Sequence, residues 1–152
     1  MSEASDPLYR KALLRLAADA VGAGRLPAPD AAATAANPAC GDRITLEIAL
    51  HGGCVSALAH DTQACILTQA SAAILGAAAP GLDAAALEAL ETGVRAMLKD
   101  GAPPPLPAYA AFDAAAALPG RHVCVLLPFQ ALRRALELAE PGGERAEIEP
   151  PR

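Results

Sequence analysis

The segment Asn37-Pro38-Ala39-Cys40-Gly41-Asp42-Arg43-Ile44-Thr45-Leu46-Glu47-Ile48-Ala49-Leu50 combines a turn with a strand. In its second part Ile44, Leu46, Ile48 and Leu50 alternate with Thr45, Glu47 and Ala49, the period-two pattern of a half-buried β-strand. Its first part brings a thiol and a carboxylate, Cys40 and Asp42, into one turn just before that strand. Downstream, His51-Gly52-Gly53-Cys54 offers a hairpin turn, because glycine tolerates positive φ. Val55 to Ala59 then returns as a second strand.

Beyond the hairpin the period changes. From Cys65, the residues Ile66, Ala70 and Ala73, with Leu67 and Ile74 beside them, share helical faces until Pro80-Gly81. Asp83 caps the next helix, whose stripe Leu87, Leu90, Val94 and Leu98 faces the core and which Asp100-Gly101 closes. Ala102-Pro103-Pro104-Pro105-Leu106-Pro107 cannot lie inside a helix, since proline lacks the amide donor. A short helix from about Tyr109 to Ala117 follows, stopped by Pro119-Gly120. A last helix runs from about Pro128 to Ala139 with Leu132, Leu136 and Ala139 inward. Upstream, Asp6-Pro7 starts a first helix that carries Leu8, Ala12, Leu13 and Leu16 to about Ala20. Val21 to Asn37 reads as a connecting arm. This order predicts an α+β fold in one domain, residues 1–140, with a disordered tail at 141–152.

Composition narrows the function. Apolar residues make up 53% of the 152, but 40 are alanine and 21 leucine, and there is no Trp, so the core is aliphatic with thin alanine faces. A net charge of −5 argues against nucleic acid as partner, which asks for a basic surface. The longest uncharged stretch, Thr62 to Leu82, contains Gln63, Thr68, Gln69, Ser71 and Pro80-Gly81 and makes a poor membrane span. The first residues show no apolar signal segment, so a cytoplasmic protein without membrane association is expected. Four cysteines in that setting are thiols or metal ligands rather than disulfides.

Three of the four sit at element boundaries: Cys40 before the first strand, Cys65 at the strand-to-helix junction and Cys124 before the last helix. Helix N-termini favour the thiolate, so lowered thiol pKa values are expected there. Three thiolates with the Asp42 carboxylate suit four-coordinate Zn²⁺ or a small iron–sulfur cluster. Spacing alone leaves both open, and leaves open cysteine as a buried small apolar residue. Cys54 reads as a bystander on the hairpin. His51 and His60 read as solvent-facing, and His122 as a loop histidine. Ser71 has no His/Asp partner at a recognisable spacing, so no hydrolase is indicated.

The segments NPACGDRITLEI, QACILTQASAAIL and RHVCVLLPFQALRRAL, together with Leu8-Tyr9-Arg10, resemble the U-type iron–sulfur scaffold family that comprises IscU, the N-terminal part of NifU, and SufU. The resemblance runs from about Leu8 to Leu138. It implies a small antiparallel sheet of about three strands against four to five helices. It also implies a site of Cys40, Asp42, Cys65 and Cys124, holding a transient [2Fe–2S] cluster or Zn²⁺. The partners it implies are a cysteine desulfurase, which supplies sulfur to Cys124 or Cys40, and apo iron–sulfur acceptor proteins. The 58 residues between Cys65 and Cys124 resemble the long-insert, SufU-like branch, as does Arg121. That branch holds zinc and relays sulfur as a persulfide. Val123 precedes Cys124 where one branch has His and the other commonly Lys. A carboxylate is a harder, weaker ligand than a thiolate for iron, so a site containing Asp42 should surrender its cluster more readily than an all-cysteine one.

Overall fold

A computed structural model describes residues 11–139. The predicted helix start at Asp6-Pro7, the Leu8-Tyr9-Arg10 match and the tail at 141–152 lie outside the described residues. The elements in order are α1 (Lys11–Asp19), β1 (Ala31–Asn37), β2 (Asp42–His51), β3 (Cys54–Gln63), α2 (Ile66–Ala78), α3 (Ala84–Asp100), a 3₁₀ segment (Pro107–Ala117), a 3₁₀ turn (Pro119–Arg121) and α4 (His122–Ala139). The strands form one antiparallel sheet in the order β1-β2-β3. The architecture is α+β, as expected, with no described helix long and apolar enough to cross a membrane.

The alternation read in β2 sets the layering. Ile44, Leu46 and Ile48 are fully buried beneath α4, which packs on β1 and β2, while α2 packs on α4 and β3. The stripe on α3 is buried as predicted at Leu87, Leu90, Val94 and Leu98. Asp83 accepts a bond from the Ala86 amide at that helix's start, and Gly101 closes it in the left-handed conformation at φ 73°.

Three expectations are corrected. Residues 31–37, read as part of an arm, are strand β1, paired with β2 from Ala31↔Ile48 to Asn37↔Asp42. Alanine favours helix in isolation, but here cross-strand pairing and a close-packed α4 decide the backbone, Ala35 being buried under that helix. β3 runs to Gln63, well past Ala59, and shifts register between Ala49 and Leu50 at a bulge. The last helix begins at His122, six residues before Pro128, so Cys124 lies in its first turn and the proline inside it.

The rest of the arm first runs along the open edge of β3, where Ala23 bridges to His60, and then reaches Glu47 on the other face of the sheet. Gly24 N donates to His60 O and His60 N to Gly22 O, both at 2.9 Å. Glu47, on the outward side of β2, is buried because Leu26 N (2.7 Å) and Arg25 Nε (3.3 Å) reach its carboxylate. His60 is not solvent-facing: paired with Leu46 it lies on the core face, buried, with Nε2 3.0 Å from Val21 O and Nδ1 2.8 Å from Thr62 Oγ1. The close approach needs a glycine on α2, since a Cβ at Gly76 would stand 2.6 Å from Val21 O. His51 is exposed, as read.

Candidate metal or cluster site

Asn37 and Asp42 are the last register pair of β1 and β2, and Pro38 to Gly41 form the loop between them. Asn37 organises that loop: its side chain accepts from Ala39 N, and its carbonyl from Cys40 N (3.2 Å) and Gly41 N (2.9 Å). Gly41 turns the chain at φ 77°, the left-handed region that glycine tolerates. Cys40 is thereby presented at an exposed tip. Asp42, one residue past the turn, points inward and is buried.

Asp42 faces the start of α2. Cys65 is that helix's N-cap, and its side chain caps nothing. Instead Asp42 Oδ1 accepts the Cys65 amide at 3.0 Å, and Asp42 Oδ2 lies 3.1 Å from the Thr68 hydroxyl. A carboxylate at a helix N-terminus is favourably placed against the free amides. Burial works to raise the Asp42 pKa, but the Cys65 amide and the bonds with Cys40, Cys65 and Thr68 together hold it below the ordinary value. Asp42 is thus an anion at neutral pH.

Cys124, in the first turn of α4, is buried at 1% exposure. The Cys40 thiol, an Asp42 oxygen and the Cys124 thiol all lie within 4.8 Å of one another. Cys65 is half-buried and stands outside that tight trio, its sulfur 3.6 Å from Thr68 Oγ1. It remains beside Cys124, because it is the strongest neighbour acting on that thiol. The expectation of a lowered pKa at Cys124 is corrected. Burial first, then Cys65, Asp42 and Cys40, push it up to about 12. A helix end favours an anion, but not one that must sit dry among other anionic groups.

The donor set fits a metal. Sulfurs bound to one tetrahedral zinc stand about 3.8 Å apart, given metal–sulfur bonds of ~2.3 Å. The trio, within 4.8 Å, exceeds that separation by at most about 1 Å, and Cys40 sits on an exposed turn. Two thiols and an anionic carboxylate at this distance, with a third thiol adjacent, offer the four donors that Zn²⁺ or iron requires.

Other singled-out residues lie elsewhere. His122 is half-buried with Nε2 3.1 Å from Ala116 O, a bond that ties the 3₁₀ segment to α4, and it is not in the trio. Cys54 begins β3 and bridges to Asp83. Ser71 is buried and donates to Val125 O at 2.6 Å, a structural tie. Thr68 escaped the sequence reading. Its signal was a polar residue three positions after Cys65, on the same face of an otherwise apolar helix.

The model of the NifU-like N terminal domain matches residues 8–117. No curated protein matches the chain. Two solved structures share the fold. The N-terminal part of a nitrogen-fixing NifU-like protein from Brucella abortus is 30% identical, with 86% of this chain and 93% of that one covered, at a TM-score of 0.78. A protein from Fervidobacterium islandicum AW-1, described as an iron–sulfur cluster assembly scaffold for the SUF system, is 21% identical over 87% of this chain and 98% of that one, also at a TM-score of 0.78. With the family model spanning most of its length, the chain belongs to the NifU-like N terminal domain family.

Proposed function

We propose that this protein is an iron–sulfur cluster assembly scaffold, which takes sulfur from a cysteine desulfurase, builds a [2Fe–2S] cluster with iron, and hands it to apo iron–sulfur proteins in the cytoplasm. The observation that carries the reading is the meeting of Cys40, Asp42 and Cys124 within 4.8 Å from a turn, a strand and a helix, with Cys65 adjacent. In this reading all four are cluster ligands. Cys40 is the sulfur acceptor, because it is the exposed thiol of the set and Cys124 is buried. Its thiolate attacks the outer sulfur of the desulfurase persulfide, and the desulfurase thiolate leaves. Asp42 supplies the oxygen ligand that makes the cluster removable.

A second reading is a zinc-dependent sulfurtransferase that stimulates the desulfurase. The observation in its favour is the long separation of Cys65 and Cys124, filled by α3, the proline-rich stretch and the 3₁₀ segment. Zinc would be held by the same four residues and would keep the thiols as thiolates at neutral pH. Cys40 would again carry the sulfur.

Anaerobic reconstitution with a cysteine desulfurase, cysteine, Fe²⁺ and a thiol reductant, which supplies the electrons that take persulfide sulfur to sulfide, tests the two. The scaffold gives an oxygen-labile visible chromophore. Tight zinc, no chromophore and faster desulfurase turnover would overturn it in favour of the sulfurtransferase. Under the scaffold reading Asp42→Ala holds its chromophore longer than the wild type when an apo acceptor is added; faster loss would remove Asp42 from the proposed role.

A further inference from the structure

Pro128 is the seventh residue of α4. In a regular α-helix the amide of residue 128 donates to the carbonyl of residue 124. Proline has no amide proton, so the Cys124 carbonyl lacks that donor. In its place stands the hydroxyl of Thr68, fully buried on α2, 2.9 Å from Cys124 O. The same hydroxyl lies 3.1 Å from Asp42 Oδ2 and 3.6 Å from Cys65 Sγ. A hydroxyl has one proton to give. The Cys124 carbonyl and the ionised Asp42 both need it. The carbonyl has no regular alternative, whereas Asp42 keeps the Cys65 amide on its other oxygen.

We propose that Thr68 is a positioning residue for the cysteine–carboxylate site: its hydroxyl stands in for the amide missing at Pro128, fixing the first turn of α4 that carries Cys124, and so leaves Asp42 Oδ2 only a shared proton, which a metal can displace. The inference rests on reading this site as a metal or cluster site. Thr68 acts only through Cys124 and Asp42. Ser71, one turn along α2, serves as the internal control. It bonds Val125 O, whose regular donor, the Phe129 amide, is present.

The test is a double-mutant cycle of Thr68→Val and Pro128→Ala, with Thr68→Ser and Ser71→Ala alongside. Two readouts are taken: anaerobic Co²⁺ titration, followed by thiolate-to-cobalt absorbance, and thermal melting of the metal-free protein. Thr68→Val should weaken Co²⁺ binding about 10-fold and reduce the thiolate absorbance per cobalt, the size expected for an orphaned buried carbonyl. Thr68→Ser should stay within about 2-fold of the wild type, since it keeps the hydroxyl. In the Pro128→Ala background, where the amide returns, Thr68→Val should cost no more than about 3-fold and lower the melting temperature less. Pro128→Ala alone should weaken Co²⁺ binding a few-fold, because the hydroxyl then serves Asp42 fully. Ser71→Ala should leave the cobalt spectrum unchanged.

Equal losses from Thr68→Val in both backgrounds, or failure of Thr68→Ser to rescue, would overturn the inference. A wild type that binds no Co²⁺, but whose melting cycle is coupled, would sink the proposed function while supporting the exchange of hydroxyl for amide.

Discussion

Cys40 and Cys124 carry the same side chain into opposite surroundings, one exposed on a glycine turn and the other sealed under α2 with its pKa driven up to about 12. Thiol chemistry should separate them. In metal-free protein at pH 8, iodoacetamide should modify Cys40 first and Cys124 last, at least about 10-fold more slowly, because the thiolate is the reactive form. Peptide mass spectrometry reads the order, and early labelling of Cys124 would contradict its burial. Tyr109 is a second residue whose setting decides its role. Its ring packs between Phe112 and Phe129 at centroid distances of 6.1 and 6.3 Å, and its buried hydroxyl finds no partner among the described residues. Removing an unsatisfied hydroxyl removes a cost. Tyr109→Phe should therefore melt at or above the wild-type temperature, and a clear fall would reveal a missed partner. His60 gives a pH dependence of defined sign. Burial lowers its pKa, against the Val21 carbonyl and Asp61. The unfolded chain thus takes up the proton first as pH falls. The stabilising contribution is complete above the unfolded value of about 6.5 and drains away below it. Urea midpoints between pH 7 and 5 should fall more steeply for the wild type than for His60→Gln; equal slopes would remove His60 from the account.

At the scale of elements, the contact of α2 with the arm before β1 depends on the absence of one side chain. A Cβ at Gly76 would meet the Val21 carbonyl at 2.6 Å, and that backbone is held in turn by His60. Alanine favours helix over glycine by up to about 1 kcal/mol, but overpacking against backbone costs ~1–3 kcal/mol. Gly76→Ala should thus lower the melting temperature, whereas a rise would show that the arm yields freely. The join of α3 to α4 is of another kind. Glu91 receives Arg95 from its own helix and Arg133 from α4, a buried carboxylate gripped by two half-exposed guanidinium groups. This pairing holds the long connection between Cys65 and Cys124 to a fixed path back to the sheet.

For the molecule as a whole, the four proposed ligands belong to the β1–β2 turn, β2, the start of α2 and the start of α4. Cys40 and Asp42 are neighbours along the chain, but Cys65 and Cys124 come from the starts of two distant helices, so the four meet only when the sheet and both helices are assembled. A metal held there binds the folded state alone. Zn²⁺ at 100 times its dissociation constant should then add about 2.7 kcal/mol, which is roughly 5–10 °C for a chain of this size. Differential scanning calorimetry with and without a chelator reads the shift. An unchanged melting temperature with zinc bound would place the ion outside the folded pocket.

The sequence by itself determined the α+β class, β2 with its inward Ile44, Leu46 and Ile48, and the α3 stripe, and it singled out Cys40, Asp42, Cys65 and Cys124 as candidate ligands, of which the fold brings Cys40, Asp42 and Cys124 within 4.8 Å. Each of these readings is written in local periodicity, or in short motifs that carry the family resemblance. Tertiary structure decided what depends on neighbours far along the chain. The alanines of 31–36 became a strand because β2 offered hydrogen bonds and α4 needed thin side chains above them. His60 is buried because its register with Leu46 turns it to the core face, where the Val21 carbonyl meets its ring. Cys124 became a poor acid because Asp42 and two other thiols converge on it in a dry place. Thr68 took on its part only because a proline 60 residues later withholds an amide, and no local pattern can show which distant carbonyl lacks a donor.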